Sequence, residues 1–373
     1  MSNSESKNIK VLYIGHLRDG SGWTRAACDL IQAMDYVGID VSCRSILLSR
    51  NIPPNKRIQE LEAKRCKNPD VIIQHVLPHF YEKNGPAKHI GYFVGEGSSF
   101  SRIGWQYRLN LMDEIWVPNR DLLKVKTYCP KHVVHHAHNK ALYFGRPNKL
   151  IDTDSYKFYS IIDFTDRKNL RGLLEAFHLE FDRENVDLVI KLSSQNLSKE
   201  EIESEFHKLN NDVCSSLRKW SDSFRYKQVM LISDHLSEGG IRALHSSCDC
   251  YVSLSHGEAW NYPLADSIFH GNDCIASSCE GHKEFVPLSS GILISGKTEP
   301  AKNKTTLPFY QTGVDTWFSP DIIEARQAMR QKFNESQKTA GFIKRKDKLS
   351  KTNRDLVDQF SFETIGNRIL ELL

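Results

Sequence analysis

At 373 residues the chain has room for two domains of ordinary size, and 40% hydrophobic with 26% charged residues is the balance of a core-forming protein, which excludes disorder over most of its length. The formal charge of +4 is mild for this size: it admits contact with anionic lipid or nucleic acid and argues for neither. Residues 1–10 are polar, without an apolar run of signal-peptide length, and no stretch approaches the ~18 apolar residues of a membrane span. The expectation is a cytoplasmic protein, at most peripheral at the inner membrane face.

Taken in chain order, short apolar runs alternate with helical stretches, the pattern of parallel sheets with crossover helices. Val11–Ile14 reads as a buried strand, and the Gly20-Ser21-Gly22 turn after it opens a helix with Ala26, Ala27, Leu30, Ile31 and Met34 on one face. Val71–Ile73, His89–Val94, Glu114–Val117 and Val133–Val134 continue the series. A polar stretch from Arg146 to Lys157 marks a domain boundary, giving an N-terminal domain over 1–150 and a second over 151–350. Phe158–Ile162, Val186–Leu192, Val229–Ile232, Cys250–Leu254 and Cys274–Ala276 read as the strands of the second series, with helices at Leu170–Phe177 and Ile241–His245. The basic stretch Gln327–Arg354 carries interspersed acids and reads as a solvated helical face. In 351–373, Ile365, Ile369 and Leu372 stand at helical spacing, so this tail is expected to dock back on the first domain. Two doubly wound domains facing across a cleft place their ligand at the carboxyl ends of the strands.

The nine cysteines form neither a C-x-x-C pair nor a zinc ladder, and reduced, mostly buried thiols are the reading. His135, His136 and His138 have no carboxylate or thiol at ligand spacing, so no metal is expected there.

The segment richest in chemistry is Ser255-His256-Gly257-Glu258-Ala259-Trp260-Asn261-Tyr262-Pro263-Leu264-Ala265-Asp266. It is predicted to lie between a strand ending near Leu254 and a helix starting near Pro263, so its N–H groups stand where an anion such as a diphosphate is stabilised. Glu258 is placed at the end of that strand and Asp266 on the inner face of the helix, each able to grip sugar hydroxyls. Ahead of an earlier helix stand Asp166-Arg167-Lys168-Asn169, a basic pair that can neutralise a departing diphosphate. The Asp19-Gly20-Ser21-Gly22 loop suits close approach of backbone to phosphate, although full dinucleotide spacing fails at Arg25.

These residues resemble retaining glycosyltransferases of the GT-B fold, family 4. Their signature is a Glu, an aromatic-Gly-Leu-Pro stretch and a second Glu eight positions after the first. Glu258, Trp260 and Pro263 match; Asn261 stands where the signature has Gly, and Asp266 where it has Glu. Lys168 stands eight residues before Ala176, as the family's phosphate-binding Lys does, while the family's partner Arg is Asp163 here. Arg167 or Lys191 can replace that Arg, a solvent-facing charge at a strand end being the alternative for Lys191. Gly91 to Glu96 followed by Asp113 to Pro118 resembles a subgroup of the family, with Glu96 where many members have His.

The resemblance implies two Rossmann-like domains and a nucleotide-diphosphate sugar as donor, with no further cofactor and no metal. Glu258, Lys168 and Glu96 become the candidate catalytic residues. Gly20, Ser21, Gly22, Arg167, Lys168, Lys191, His256, Gly257, Glu258, Ala259, Trp260, Asn261, Tyr262 and Asp266 become the candidate donor contacts, Glu258 on the sugar and Asp266 on the ribose. His75 and Glu96 fall on the acceptor side, where a satisfied core histidine is the other reading of His75. The acceptor is a glycan, a lipid-linked or a small molecule. Rival readings are a sugar-phosphate phosphorylase, a catalytically silent nucleotide-binding scaffold, and a transferase acting on modified DNA bases, for which no base-flipping signature is present.

Overall fold

The structure is a computed structural model that describes residues 9–47, 51–97, 103–143, 149–217, 225–302, 315–338 and 351–373. The polar residues 1–8, the start of the predicted domain boundary at 144–148 and the 339–350 part of the basic stretch lie outside the described residues. The chain divides into two compact units, one of Met1–Gly95, Phe100–Leu142 and Asp355–Leu373, the other of Glu96–Ser99 and Tyr143–Arg354. The division falls eight residues or so ahead of the predicted boundary at 150 and assigns the chain from Asp355 onward to the first unit.

In the first unit six parallel strands, β1 (Lys10–Gly15), β2 (Asp40–Ser45), β3 (Val71–His75), β4 (Lys88–Tyr92), β5 (Glu114–Val117) and β6 (Lys131–Val133), form one sheet in the order β2-β1-β3-β4-β5-β6. Helices α1 (Gly22–Tyr36), α2 (Lys56–Ala63) and α3 (Ile103–Leu109) belong to this unit. Ser21 caps α1 by accepting from the Trp23 and Thr24 N–H groups, and the predicted face of Ala26, Ala27, Leu30, Ile31 and Met34 is buried. β2 is a strand that hydrophobic periodicity does not reveal: its sequence is Asp-Val-Ser-Cys-Arg-Ser, and as the edge of the sheet it needs only Val41 and Cys43 for the core.

The second unit repeats the plan. β7 (Tyr156–Asp163), β8 (Val186–Ser193), β9 (Val229–Ile232), β10 (Cys250–Ser253), β11 (Asp273–Ser277) and β12 (Ile292–Ile294) lie parallel in the order β12-β11-β10-β7-β8-β9. A hairpin of β13 (Gly296–Pro300) and β14 (Thr316–Pro320) follows. Helices α4 (Leu170–Glu180), α5 (Lys199–Ser216), α6 (Glu238–Ser247), α7 (Tyr262–Phe269) and α8 (Ile322–Lys338) complete it. Phe158, Leu174, Phe177, Ile190, Val252 and Met329 are among its core residues. β7 and β8 pair over their whole length, Tyr156 opposite Val186 through Asp163 opposite Ser193.

Helix α9 (Lys351–Gln359) leads into α10 (Phe362–Leu372), which packs on α1. Ile365 and Ile369 are buried there, and a Cβ on Gly366 would stand 2.3 Å from the Ala33 carbonyl oxygen, so a glycine is what lets the two helices touch. Among the described residues no helix is long and apolar enough to cross a membrane.

Each sheet has one place where the strand order reverses, between β1 and β3 in the first unit and between β7 and β10 in the second. Crossovers leave these points in opposite directions and open a crevice at the carboxyl ends of the strands, where ligands of doubly wound sheets bind.

Candidate active site

The carboxyl ends of β7 and β10 carry the two segments singled out in the sequence. After β7 the chain makes a 3-10 turn, Asp166–Lys168, and Asn169 then takes a left-handed conformation at φ 52°. The Asn169 side chain caps α4 by accepting from the Gly172 N–H at 3.1 Å and donates to the Leu254 carbonyl at 2.9 Å, which ties this turn to the end of β10. Gly172 leaves the space that Asn169 needs, since a Cβ there would lie 2.6 Å from its Nδ2. After β10 the His256 N–H donates to the Arg167 carbonyl at 2.8 Å. The His256 ring stacks on Trp317 of β14 at 4.1 Å, and its Nδ1–H donates to the Phe318 carbonyl at 2.8 Å. The hairpin thus braces the start of the Glu258 loop.

Glu258 lies five residues beyond the last residue of β10, not at the strand end, because Leu254 to Gly257 form a loop that carries it over the β7 turn. There it meets both basic residues. Lys168 Nζ is 2.5 Å from Glu258 Oε1, and the Arg167 guanidinium is 3.1 Å from Oε2 and 2.9 Å from Glu96 Oε2. Arg167 also donates to the Gly257 carbonyl at 2.6 Å. The Glu258 side chain is almost wholly buried; burial pushes its carboxyl up, and Lys168 and Arg167 together overcome that and hold it down at about 2. Burial raises the Glu96 carboxyl, and the Glu258 charge adds to this against the pull of Arg167. One site therefore holds two carboxylates whose proton affinities are driven apart.

Asn261 explains its own departure from the family signature. Its φ is 80°, a left-handed conformation that glycine adopts freely and asparagine better than other residues. The side chain adds what glycine lacks: it caps α7 at the Leu264 N–H, and its Nδ2 donates to Ser253 Oγ and His282 Nε2, both at 2.9 Å. His282 Nδ1–H donates to the Ser277 carbonyl at 2.8 Å, so the neutral ring presents Nε2 as an acceptor, and burial pushes the imidazole down to about 4. Asp266 sits on buried α7 and accepts from the Tyr143 hydroxyl at 2.6 Å. Trp260 and Tyr262 are buried as well, Trp260 against Phe285.

Three contributors escaped sequence reasoning: Tyr143, and Glu280 and His282 in the 3-10 turn after β11. The turn enters the site through strand order, because β11 adjoins β10 and its carboxyl end shares the same edge of the sheet. Gly281 lets it pack there, since a Cβ would lie 2.3 Å from the Ala259 carbonyl oxygen. Lys191 is not brought to the Glu258 cluster. It is buried, bonds the Leu192 carbonyl at 2.9 Å and is drawn down by burial, with Asp234 and Asp163 as its opposing charges. Its burial overturns the solvent-facing alternative for Lys191.

In the first unit, Gly20 to Gly22 and His75 stand at that unit's own switch point. Asp19 accepts from the Ser21 N–H at 3.0 Å, from the Ser21 hydroxyl at 2.7 Å and from the Thr24 hydroxyl, while Gly20 turns the chain at φ 71°. His75 is fully buried among Trp23, Tyr92 and Tyr13; its Nδ1 is hydrogen-bonded with the Tyr13 hydroxyl at 2.7 Å and Nε2 has no partner. Burial pushes this imidazole down to about 3. His136 approaches the Tyr92 hydroxyl at 3.1 Å and His135 the Pro118 carbonyl at 2.8 Å, and among the described residues no three His, Cys, Asp or Glu side chains gather as a metal site. All nine cysteines are free thiols.

The two parallel six-stranded units give the chain the fold of the GT-B glycosyltransferases. Solved structures similar to it include sucrose-phosphate synthase from Thermosynechococcus elongatus, 13% identical over 98% of both chains with a TM-score of 0.65. Anabaena HepE in complex with UDP-glucose is 11% identical over 98% of this chain and 99% of that one, with a TM-score of 0.64. A trehalose-6-phosphate protein of E. coli bound with UDP-2-fluoro glucose is 8% identical over 97% and 98%, with a TM-score of 0.62. No protein-family model and no curated protein sequence matches the chain.

Proposed function

We propose that the chain is a retaining glycosyltransferase of the family 4 type, acting in the cytoplasm, which moves a sugar from a nucleotide-diphosphate donor to a glycan, lipid-linked or small-molecule hydroxyl. The observation that carries this reading is the convergence of Lys168 and Arg167 on Glu258 at the switch point between β7 and β10. Similar folds hold UDP-glucose and UDP-2-fluoro glucose, which supports a nucleotide sugar as ligand.

In this reading residues 151–350 take the donor and 1–150 the acceptor. The diphosphate replaces the carboxylates as partner of Lys168 and Arg167, and the freed Glu258 turns to the donor sugar. The acceptor oxygen attacks the anomeric carbon from the side the leaving group departs. The bond from that carbon to the phosphate oxygen breaks, the new glycosidic bond forms, and the departing phosphate takes the acceptor's proton. The residues contribute positioning and charge stabilisation: Lys168 and Arg167 receive the charge that grows on the leaving group, and Glu258 steadies the positive sugar ring. Asp266 binds the ribose. Because two side-chain cations and backbone N–H groups carry the diphosphate charge, and no Asp-x-Asp pair stands beside the donor motif, turnover proceeds without metal.

Thermal-shift measurements against UDP-, GDP- and ADP-sugars, each with and without EDTA, test the reading. A ligand at 100 times its Kd adds ~2.7 kcal/mol of stability, which raises Tm by several degrees. One nucleotide class is expected to give that rise, undiminished by EDTA. A chain unmoved by every nucleotide sugar, or a rise that needs added Mg²⁺ or Mn²⁺, contradicts it.

A further inference from the structure

Glu280 has no place in the chemistry described so far, yet it touches the backbone of both loops that supply carboxylates to Arg167. It lies in the 3-10 turn Glu280–Glu284, separated from β11 by Ser278 and Cys279. Its Oε2 accepts from the N–H of Glu258 at 3.2 Å, and its Oε1 accepts from the N–H of Gly97 at 3.2 Å. One carboxylate thus joins the residue after Glu96 to Glu258 itself. Gly97 presents its N–H from a left-handed conformation at φ 57° that glycine allows. The same turn returns a bond to the Glu258 loop, since the Gly281 N–H donates to the Glu258 carbonyl at 2.8 Å.

We propose that Glu280 is a positioning residue: by accepting one backbone N–H from each loop, its carboxylate sets the spacing of Glu96 and Glu258 on either side of Arg167. It acts through those residues and makes no contact with the reacting atoms. The inference rests on reading this site as the donor site, and it adds the part that fixes the carboxylates before a donor arrives. Backbone clamping matters because Glu258 reaches Lys168 and Arg167 from a loop and not from a strand, and catalytic efficiency falls steeply when a group is displaced by about 1 Å. Both carboxylate oxygens are needed. A glutamine at 280 keeps the size, but its amide group can accept only one of the two N–H bonds and turns an NH2 toward the other, donor against donor.

Two variants of the full chain, Glu280→Ala and Glu280→Gln, test this by amide hydrogen exchange and by turnover of UDP-glucose as probe. Glu280→Ala is expected to speed exchange at Gly97 and Glu258 by about tenfold, the size of change that goes with losing one hydrogen bond to a charged group. In Glu280→Gln one of the two amides is freed, and the strands β7 and β10 keep their protection in both variants. The probe's kcat is expected to fall about tenfold or more in each, with affinity for UDP within about threefold of wild type. Unchanged exchange at both amides overturns the clamp. So does wild-type kcat once the amides are freed, or a loss of UDP affinity equal to the loss of kcat, which would mark a purely structural role. If the unaltered protein binds and consumes no nucleotide sugar, the donor-site reading falls, and the exchange result still upholds or overturns the clamp by itself.

Discussion

Glu258 is a buried carboxylate kept ionised by Lys168 and Arg167, and Asp266 is a buried carboxylate that accepts from the Tyr143 hydroxyl. The folded-state pKa of Glu258 is depressed from 4.5 to about 2, so the stability its charge contributes is complete above the ordinary value and is lost only as pH falls toward 2. At any working pH it is an anion, and in the proposed function that charge stands beside the donor sugar. Replacing its charge while keeping its size should therefore act on chemistry more than on binding. Glu258→Gln is expected to lower turnover by ~10²–10³, at nearly unchanged affinity for free nucleotide, because Lys168 and Arg167 remain to take the diphosphate. Asp266→Asn is expected to weaken free-nucleotide binding first, by about tenfold, through loss of a charged partner for the ribose hydroxyls. Calorimetry on the two variants separates the roles; affinity lost in Glu258→Gln and kept in Asp266→Asn reverses them.

At the scale of elements, what positions the site is a set of loops whose conformations were only partly legible. The strand and helix that flank Glu258 could be read from apolar runs and from Pro263, which stands in the first turn of α7. The left-handed turns at Asn169 and Asn261 could not, because asparagine is common in helices, caps and turns alike and its identity does not fix its φ. Asn261 stands where the resembled signature has glycine, and the structure makes it a substitute that keeps the turn and adds a helix cap. This gives an ordered expectation for two variants. Asn261→Ala meets the left-handed penalty of ~1–2 kcal/mol and loses the cap besides, whereas Asn261→Gly keeps the turn and loses little of the capping free energy. Denaturant titration should show Asn261→Ala as clearly the less stable of the two; equal stability contradicts the account of this turn.

Over the whole molecule, two parallel doubly wound units were legible because buried strands announce themselves by β-branched runs and crossover helices by their apolar faces. The elements that were missed lack that signature or are too short to show it: the polar edge strand β2, the edge strand β12 with only Ile292, Leu293 and Ile294, and the β13–β14 hairpin, built from Gly, Lys, Thr and Pro as much as from apolar residues. The terminal helix was legible from Ile365 and Ile369, but that Gly366 permits its contact with α1 follows only from the packing. The site was legible as a basic pair and a carboxylate on separate segments. That they meet, while Lys191 does not join them, depends on strand order, which places β10 and β7 side by side.

The central claim is that Lys168 and Arg167, neutralised by Glu258 in the free protein, are the seat of a nucleotide diphosphate. Its most direct test is calorimetric titration of the nucleotide selected by the donor screen into wild-type protein and into Lys168→Ala, with Tm recorded for both. The account predicts a single site in the wild type and a loss in the variant worth ~2–4 kcal/mol in turnover, with at least tenfold weaker nucleotide binding, about 1.4 kcal/mol, and little change in Tm. Equal affinity and equal turnover in the two proteins would contradict it.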